Sequence, residues 1–310
     1  MKKKVGFYCC SNGYGHFKRV IEIAELLVDF YDVEIICSSE QIKKFKKINK
    51  AKYTVSSQDN INWEKALNTP QEVITDYFNW VKLYGPYTHK HDIVVSDNLP
   101  GLLEYRSDTI LLGSFLWKDV FNTLLGDNEL STYDSKLIAR YKPIILTNKY
   151  VETQSVKVYN NKIQFGFGCK DRRSVFSKIK YNLVNKSSLK YLDSYSKFIS
   201  KLSNDLNFTD NFSHNDSTIM FARPGVGTIT HCVENYIPLV ALYDEKDSQE
   251  IIELAQTVED LSLGFKQNVN EKFNTVKYKM WGNNSSILYG PKLELDGYTK
   301  IANFIKQYES

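Results

Sequence analysis

The sequence predicts an α/β protein with two doubly wound domains, each built on a parallel sheet with helices on both faces. Three observations carry this prediction. The chain has 310 residues, whereas a single domain usually has about 100–200. Residues 5–37 follow the order strand, glycine loop, helix and strand, which is typical of a βαβ unit. A strand, a glycine loop and a helix recur over residues 217–236, so the second half repeats the plan.

The first half alternates between apolar runs and segments with apolar residues at helical spacing. Residues 5–10 are typical of a buried strand, and Val20, Ile23 and Leu27 then share one face of a predicted helix. Further strands are predicted at residues 33–37, 53–56, 92–97 and 109–113, and a helix at residues 63–83. We therefore predict a first domain over residues 1–145. Residues 143–146 fit either its last strand or the start of the crossover.

The second half, residues 146–310, shows the same alternation and is predicted to form a second domain. Its strands are predicted at residues 162–165, 217–222 and 238–243, and its helices at residues 228–236 and 249–261. A final helix is predicted at residues 298–308, with an apolar face that includes Ile301 and Ile305.

The composition is that of an ordinary globular protein. Hydrophobic residues make up 42% of the chain and charged residues 25%, which is too apolar for a disordered chain. The 40 basic and 36 acidic residues give a net charge of +4, a weak excess. Because no arginine-rich tract occurs, we predict no nucleic acid partner.

Cysteine spacing and hydropathy predict a cytoplasmic protein. The five cysteines are Cys9, Cys10, Cys37, Cys169 and Cys232. None forms a CxxC pair, so free buried thiols in a reducing compartment are expected. No stretch reaches the ~18 apolar residues of a membrane span, and the N-terminal apolar run is too short for a signal peptide.

A lysine cluster over residues 43–50 lies on a predicted amphipathic helix. A solvated helix face is the usual interpretation of such a cluster. Peripheral contact with lipid head groups on the inner membrane face is the alternative. The three histidines His89, His91 and His214 lie in predicted loops and are interpreted as surface residues.

The first glycine loop directly follows a predicted strand and precedes a helix. It consists of Gly13, Tyr14, Gly15 and His16. Two glycines allow a backbone path that residues with a Cβ disfavour, and the helix N-terminus offers free N–H groups to a polar ligand. His16 can take a proton from an attacking hydroxyl, or it can simply cap the helix. Lys18 stands where the dinucleotide fingerprint has its third glycine, which argues against an NAD site.

The second glycine loop also lies between a predicted strand and a helix. Its candidate binding residues are Arg223, Gly225, Val226, Gly227 and Thr228. Backbone N–H groups and the Thr228 hydroxyl can hold a diphosphate, with Arg223 as a counter-charge. The segment lacks the Gly-Lys-Ser/Thr ending of a Walker loop.

Together the two loops resemble the motifs of a known family. Residues 13–19, GYGHFKR, resemble the GxGHxxR opening of GT-B glycosyltransferases related to the bacterial enzyme that adds N-acetylglucosamine to the lipid-linked peptidoglycan precursor. Residues 223–238 resemble the donor segment RPGxGTxxExxxxGxP of these enzymes, and residues 244–250 resemble the sugar-contacting turn that follows it. The matches span both halves of the chain in the right order.

The resemblance implies a GT-B fold. This fold has two Rossmann-like domains with a cleft between them, and its last helix, here residues 298–308, often packs back on the first domain. The resemblance also implies an inverting, metal-independent enzyme without a cofactor. Such an enzyme moves a sugar from a nucleotide sugar to a carbohydrate, lipid-linked or protein acceptor, for example in bacterial surface glycan synthesis.

The same resemblance assigns roles to individual residues. His16 matches the loop histidine that acts as a base or positions the acceptor. Asp97, at the tip of its strand, is expected to orient His16 or to contact the acceptor, with a hydrogen-bonded surface aspartate as the alternative. The residues expected at the donor are Arg223, Gly225, Val226, Gly227, Thr228, His231, Gln249 and Glu250.

Two positions depart from the family pattern. The glutamate that grips the nucleotide ribose falls at His231, and a conserved glycine of the motif falls at Tyr236. These departures leave the donor nucleotide open, including a cytidine monophosphate-activated sugar. They also keep two other functions open: a nucleotide-sugar hydrolase on the same fold, and a non-catalytic GT-B-like binding subunit. Trp80, Tyr84 and residues 115–117 fit either an acceptor wall or ordinary core.

Overall fold

The computed structural model describes residues 2–44, 53–58, 61–169, 181–189, 192–209, 218–283 and 293–308. The chain divides into two compact units. The first consists of Met1–Gly168 and Asp296–Ser310, and the second of Cys169–Leu295. Most of the lysine cluster, residues 45–50, and His214 lie outside the described residues.

The first unit is built on a seven-stranded parallel sheet in the order β3-β2-β1-β4-β5-β6-β7. The strands are β1 (Lys4–Tyr8), β2 (Asp32–Ser38), β3 (Thr54–Gln58), β4 (Ile93–Asp97), β5 (Ile110–Leu112), β6 (Ile145–Asn148) and β7 (Lys162–Phe165). The helices are α1 (Gly13–Glu25), α2 (Ser39–Lys44), α3 (Pro70–Tyr84), α4 (Trp117–Leu125), α5 (Glu129–Tyr141) and α6 (Gln154–Lys157). Three 3₁₀ helices, Trp63–Leu67, Pro86–Lys90 and Pro100–Glu104, complete the connections.

Both faces of this sheet are buried. Successive residues of a strand point to opposite sides, so one strand contributes side chains to two core clusters. Val5 and Phe7 of β1 pack into one core cluster, whereas Tyr8 packs into the cluster on the other side. Helix α1 covers the first side with its apolar stripe, which includes Phe17 and Val20. The apolar pattern of residues 5–28 therefore specifies a doubly wound arrangement, as the sequence predicts.

The second unit repeats the plan with a five-stranded parallel sheet in the order β12-β11-β10-β8-β9. The strands are β8 (Tyr181–Val184), β9 (Phe208–Thr209), β10 (Thr218–Ala222), β11 (Leu239–Tyr243) and β12 (Gly264–Asn268). The helices are α7 (Lys186–Leu189), α8 (Asp193–Leu202), α9 (Val226–Asn235), α10 (Gln249–Asp260) and α11 (Thr275–Asn283). Its core includes Phe221, Val240 and Phe265, one from each of three neighbouring strands.

The last helix, α12 (Gly297–Gln307), belongs to the first unit. Its apolar face places Ile301, Ala302 and Ile305 in the same core cluster as Phe17 of α1. Backbone contacts fix the chain where it returns: Gly168 pairs with Asp296, and the Gly297 N–H donates to the Phe167 carbonyl over 2.9 Å.

The division between the units differs from the predicted boundary at residue 145. Strands β6 and β7 both join the first sheet, β6 beside β5 and β7 beside β6. Residues 145–148 are thus a strand of the first unit, and the second unit begins at Cys169. Short strands at a sheet edge depend on their neighbours for pairing, so the local pattern could not assign them to one sheet.

His91 corrects one sequence interpretation, because it is buried rather than on the surface. Its side chain is 1% exposed, and Nε2 lies 3.0 Å from Oε2 of Glu34. A Cβ on Gly6 would lie 2.5 Å from the His91 ring, so the glycine provides the space that the ring fills. Burial lowers the pKa of His91. His89 is exposed, as predicted.

The cysteines agree with the sequence prediction, since all five thiols are free. Cys9, Cys10, Cys37 and Cys232 are buried. Within the described ranges, no helix is long and apolar enough to cross a membrane.

Asp134 of α5 provides a stability prediction for the first unit. The side chain is fully buried, accepts a hydrogen bond from the Tyr77 hydroxyl at 2.8 Å, and burial raises its pKa to about 7. The native state therefore keeps a proton that the unfolded chain releases above about pH 4, so stability falls as the pH rises from about 4 to 7. We expect Asp134→Asn to raise the free energy of unfolding by about 2–4 kcal/mol at pH 8 and to change it little at pH 4.

Urea unfolding of the variant and the wild type at both pH values measures this difference. Asp76→Asn, at an exposed position of α3, is the matched control and should change stability little at either pH. An Asp134→Asn protein that is no more stable than the wild type at pH 8 would contradict the prediction.

Candidate functional site

The carboxyl edge of the first sheet has a topological switch point between β1 and β4. The chain leaves β1 toward β2 and β3 on one side and returns to β4 on the other. Ligands of open α/β sheets bind outside the carboxyl ends of the strands at such a point. Helix α1, which carries His16, follows β1, and Asp97 is the last residue of β4. The topology therefore brings these two predicted site residues to one place.

His16 and Asp97 form a hydrogen-bonded pair. Nδ1 of His16 lies 3.0 Å from Oδ2 of Asp97, and their side chains are 13% and 1% exposed. Since an ionised carboxylate only accepts hydrogen bonds, Nδ1–H is the donor, and Nε2 is left as the basic nitrogen. The Phe115 ring packs edge-on against the imidazole with centroids 6.1 Å apart. The pair has the arrangement of an oriented general base.

Arg19 is the third member of this group. Its Nη2 donates to Oδ1 of Asp97, opposite the oxygen that faces His16. Burial disfavours the charged form of Asp97, but the positive charge of Arg19 and the contact with His16 outweigh it and lower the pKa of the carboxyl. Asp97 is therefore an anion at neutral pH.

The first glycine loop leaves the start of α1 open. Gly13 has φ 70°, a left-handed conformation that glycine adopts at little cost, and beyond its chain neighbours and its own helix no described residue lies within 4 Å of where its Cβ would be. Asn12 precedes the helix and makes no side-chain cap hydrogen bond. Gly15 is exposed and Tyr14 is half-buried. The helix begins at Gly13, inside the loop that was predicted to precede it, so Tyr14 and Gly15 lie in its first turn.

Gln41 fixes the backbone of this loop. Its side chain is 2% exposed, and Nε2 donates to the carbonyls of Cys10 at 2.8 Å and Gly13 at 3.0 Å. Gln58 supports the preceding strand end in the same way, by donating to the Cys9 carbonyl at 2.7 Å. Both glutamines come from strands or helices beyond the loop, so no local sequence pattern reveals them.

The second glycine loop also ends in an open helix start. Helix α9 begins at Val226 with Gly225 as its N-cap, and within the described residues no side-chain cap hydrogen bond is found there. Beyond its chain neighbours, no described residue lies within 4 Å of where a Cβ on Gly225 would be; Gly227 is exposed and Thr228 is half-buried. Free N–H groups at such a position are suited to an anion. Phosphate binding by these residues stays a prediction.

Arg223, in contrast, is held within the protein. Its Nε donates to Oδ1 of Asp247 over 2.8 Å, and the Asp247 side chain is fully buried. Oδ2 of Asp247 accepts from the Tyr195 hydroxyl and from the Asp244 N–H at 2.9 Å. Asp247 thus anchors the turn after β11 to the loop after β10. The sequence signal for it was its place in the acidic segment 244–250 that follows a predicted strand.

The remaining predicted donor residues lie on α9 and α10. His231 is half-buried on α9, where Nδ2 of Asn235 donates to its carbonyl at 2.9 Å. Gln249 is exposed, and its Nε2 lies 3.3 Å from Glu253 on the same helix. Burial raises the pKa of Glu250 to about 7, although the charge of Arg223 opposes this shift. The charge of Glu250 is therefore coupled to those of Arg223 and Asp247. Gln249 instead contacts Glu253 on its own helix.

Comparisons with known proteins identify the fold. No family model matches the sequence, and no curated protein matches it significantly. The glycotransferase of kitacinnamycin is 11% identical, with 99% of each chain covered and a TM-score of 0.66. The calicheamicin glycosyltransferase CalG4 is 10% identical, with 99% of this chain and 98% of that chain covered and a TM-score of 0.61. Arabidopsis thaliana UGT89C1 complexed with UDP-L-rhamnose is 9% identical, with 99% and 94% covered and a TM-score of 0.61.

The chain has the GT-B fold. At this level of identity, the likeness establishes the architecture of both units and leaves the activity to be argued from the residues. The more specific resemblance to the enzyme of peptidoglycan precursor synthesis stays a prediction.

In this GT-B protein the candidate acceptor-wall aromatics are mostly core residues. Trp80, Phe115 and Trp117 are at most 6% exposed. Trp117 stacks on Trp63 with ring centroids 4.1 Å apart. Among them, Phe115 is the one for which a contact with His16 is observed. Within the described parts of the GT-B chain, no three His, Cys, Asp or Glu side chains are grouped as a metal site.

Proposed function

We propose that the protein is a glycosyltransferase that moves a sugar from a nucleotide sugar to an acceptor hydroxyl. The observation that carries the proposal is the His16–Asp97 pair at the switch point of the first sheet. An imidazole held by a buried carboxylate is suited to take the proton of an attacking hydroxyl. The GT-B fold and the UDP-L-rhamnose named for UGT89C1 support a nucleotide sugar as the donor.

The proposed reaction is a direct displacement. Nε2 of His16 accepts the hydroxyl proton while the acceptor oxygen bonds to the anomeric carbon. The bond from that carbon to the nucleotide phosphate breaks, and the phosphate leaves with the electron pair. Attack opposite the leaving group inverts the anomeric carbon.

The open start of α9 is the proposed phosphate site. Its free N–H groups and the helix dipole can stabilise negative charge as it develops on the leaving phosphate. This electrostatic role is why we propose that the transfer needs no metal ion. Gly225, Gly227 and Thr228 would lie nearest the phosphates, and Glu250 is a candidate contact for the sugar.

A thermal-shift screen tests the proposal. The protein is heated with uridine, thymidine, guanosine and cytidine nucleotides, and with the corresponding nucleosides as controls that lack phosphate. A ligand that binds only the native state stabilises it by about 2.7 kcal/mol at 100 times its Kd. We expect the nucleotides of one base to raise the Tm and their nucleosides to have little effect.

The outcomes separate the candidate functions. A selective shift, followed by sugar transfer from the matching nucleotide sugar, supports the transferase. Release of free sugar without any acceptor would favour the hydrolase instead. If no nucleotide changes the Tm, the transferase proposal fails and the non-catalytic binding subunit becomes the better interpretation.

A further inference from the structure

Arg19 lies against the candidate catalytic pair but has no role in the proposed reaction. It lies one turn after His16 on α1, and its side chain is 14% exposed. Nη2 bonds Oδ1 of Asp97 and lies 3.4 Å from Nδ1 of His16. One guanidinium therefore contacts both members of the candidate catalytic pair.

The contact between Arg19 and His16 cannot be a second hydrogen bond to Nδ1. That nitrogen already donates its proton to Asp97, and a guanidinium has donors only. The 3.4 Å approach is therefore a cation beside a neutral ring. If the ring took a second proton at Nε2, two positive charges would stand side by side in a largely buried site. Their repulsion opposes protonation of His16.

The other groups around the pair do not supply this effect. Cys9 of β1 approaches Asp97 with its Sγ 4.0 Å from Oδ2, but burial raises the pKa of the thiol well above its usual value, so it is neutral. Tyr298 of α12 interacts electrostatically with Arg19. Phe115 is apolar. With His16 neutral, the charges of Asp97 and Arg19 cancel.

We propose that Arg19 is a positioning residue that holds the Asp97 carboxylate toward His16 and keeps the imidazole unprotonated. An aspartate alone would favour the imidazolium form, which cannot act as a base. The positive charge of Arg19 offsets the effect of the Asp97 charge on the imidazole. Arg19 also orients the carboxylate by binding Oδ1, the oxygen that does not face His16. The inference rests on the proposed function where it treats His16 as the base.

The alternative is an ion pair that only stabilises the fold. Breaking a buried pair is costly because it leaves a charge uncompensated, so a stability loss alone cannot distinguish the two roles. The protonation of His16 does distinguish them, because an ion pair with a purely structural role would not change the pH at which His16 titrates. The test therefore measures the ring directly.

The experiment is an NMR titration of the histidine ring signals. His16 is assigned by the loss of its signal in His16→Asn. We expect Arg19→Gln to move the His16 titration midpoint up by about one pH unit or more, since a charge at contact distance has an effect of this size. Arg19→Lys keeps the positive charge, so its His16 midpoint should stay close to the wild-type value. Arg140→Gln, which removes an exposed arginine from α5, is the matched control and should leave the midpoint unchanged.

A second pair of variants covers the case in which Arg19→Gln does not fold. Asp97→Asn is compared with Asp97→Asn/Arg19→Gln, where no buried carboxylate is left unpaired. The double variant should again titrate about one pH unit higher than the single variant. Equal His16 midpoints with and without Arg19, in either background, would overturn the proposal.

Because this readout needs no substrate, the two proposals can fail separately. A shifted midpoint in a protein that transfers no sugar would overturn the transferase and leave the role of Arg19 intact. If the protein transfers sugar but its His16 midpoint is the same with and without Arg19, the transferase stands and the proposed role of Arg19 is overturned.

Discussion

Replacing His16 with alanine is expected to lower kcat for sugar transfer by about 10²–10⁴-fold, the usual contribution of a general base. The acceptor hydroxyl would then have to lose its proton to water. The fold should survive, because Arg19 still compensates the charge of Asp97 when the ring is gone. Initial rates of transfer, with the donor that the nucleotide screen identifies, measure the effect.

The form of the loss distinguishes a base from a binding residue. His16 belongs to the first unit, whereas the proposed donor loop belongs to the second. The Kd of the nucleotide should therefore stay within a few-fold of the wild-type value while kcat falls. His89→Ala, at an exposed position, is the control and should retain full activity. A His16→Ala enzyme with at least a tenth of the wild-type kcat would exclude the proposed base.

The architecture of both units could be predicted because it depends on local periodicity. The apolar run before Gly13 and the helical spacing after it can hardly form anything other than a βαβ unit. The meeting of His16 and Asp97 could also be anticipated, since the ends of β1 and β4 lie at the same sheet edge. What could not be predicted is the hydrogen bond itself, which depends on the rotamers of both side chains.

The contacts of Arg19 and His91 could not be predicted from the sequence. Arg19 stands three residues after His16, a spacing that places both on one helix face, but an exposed arginine would have the same spacing. His91 is buried because Gly6, 85 positions earlier in the sequence, leaves room for its ring and Glu34 pairs with it. The contact of Arg19 with Asp97 and that of His91 with Glu34 are both long-range, so no short window of the sequence contains them.

The second glycine loop makes the same point for charge. Arg223 has the right position to meet a phosphate, yet it is paired with Asp247, a residue 24 positions later. The sequence shows two opposite charges and cannot show that they neutralise each other. In the proposed function, phosphate binding would therefore depend mainly on the backbone N–H groups at the start of α9.

This dependence leads to the second large expected effect, which is loss of nucleotide binding in Gly225→Trp. Gly225 has φ −98° and ψ 159°, which any residue adopts, and beyond its chain neighbours no described residue lies within 4 Å of where its Cβ would be, so a larger side chain can begin there without backbone strain. The indole would cover the N–H groups at the start of α9. Losing two hydrogen bonds to a charged phosphate, each about 1.5–3 kcal/mol, corresponds to a Kd about 10²–10⁴-fold higher.

Gly225→Ala is the matched control for this prediction, because it changes the same residue and adds only a methyl group to the open space. Isothermal titration of the nucleotide found in the screen should give the alanine variant a Kd within a few-fold of the wild type. Circular dichroism checks that both variants are folded. If the tryptophan variant binds as tightly as the alanine variant, the phosphates are not held at the start of α9. Arg223 would then have to leave Asp247 to bind them, at the cost of exposing a buried carboxylate without a partner.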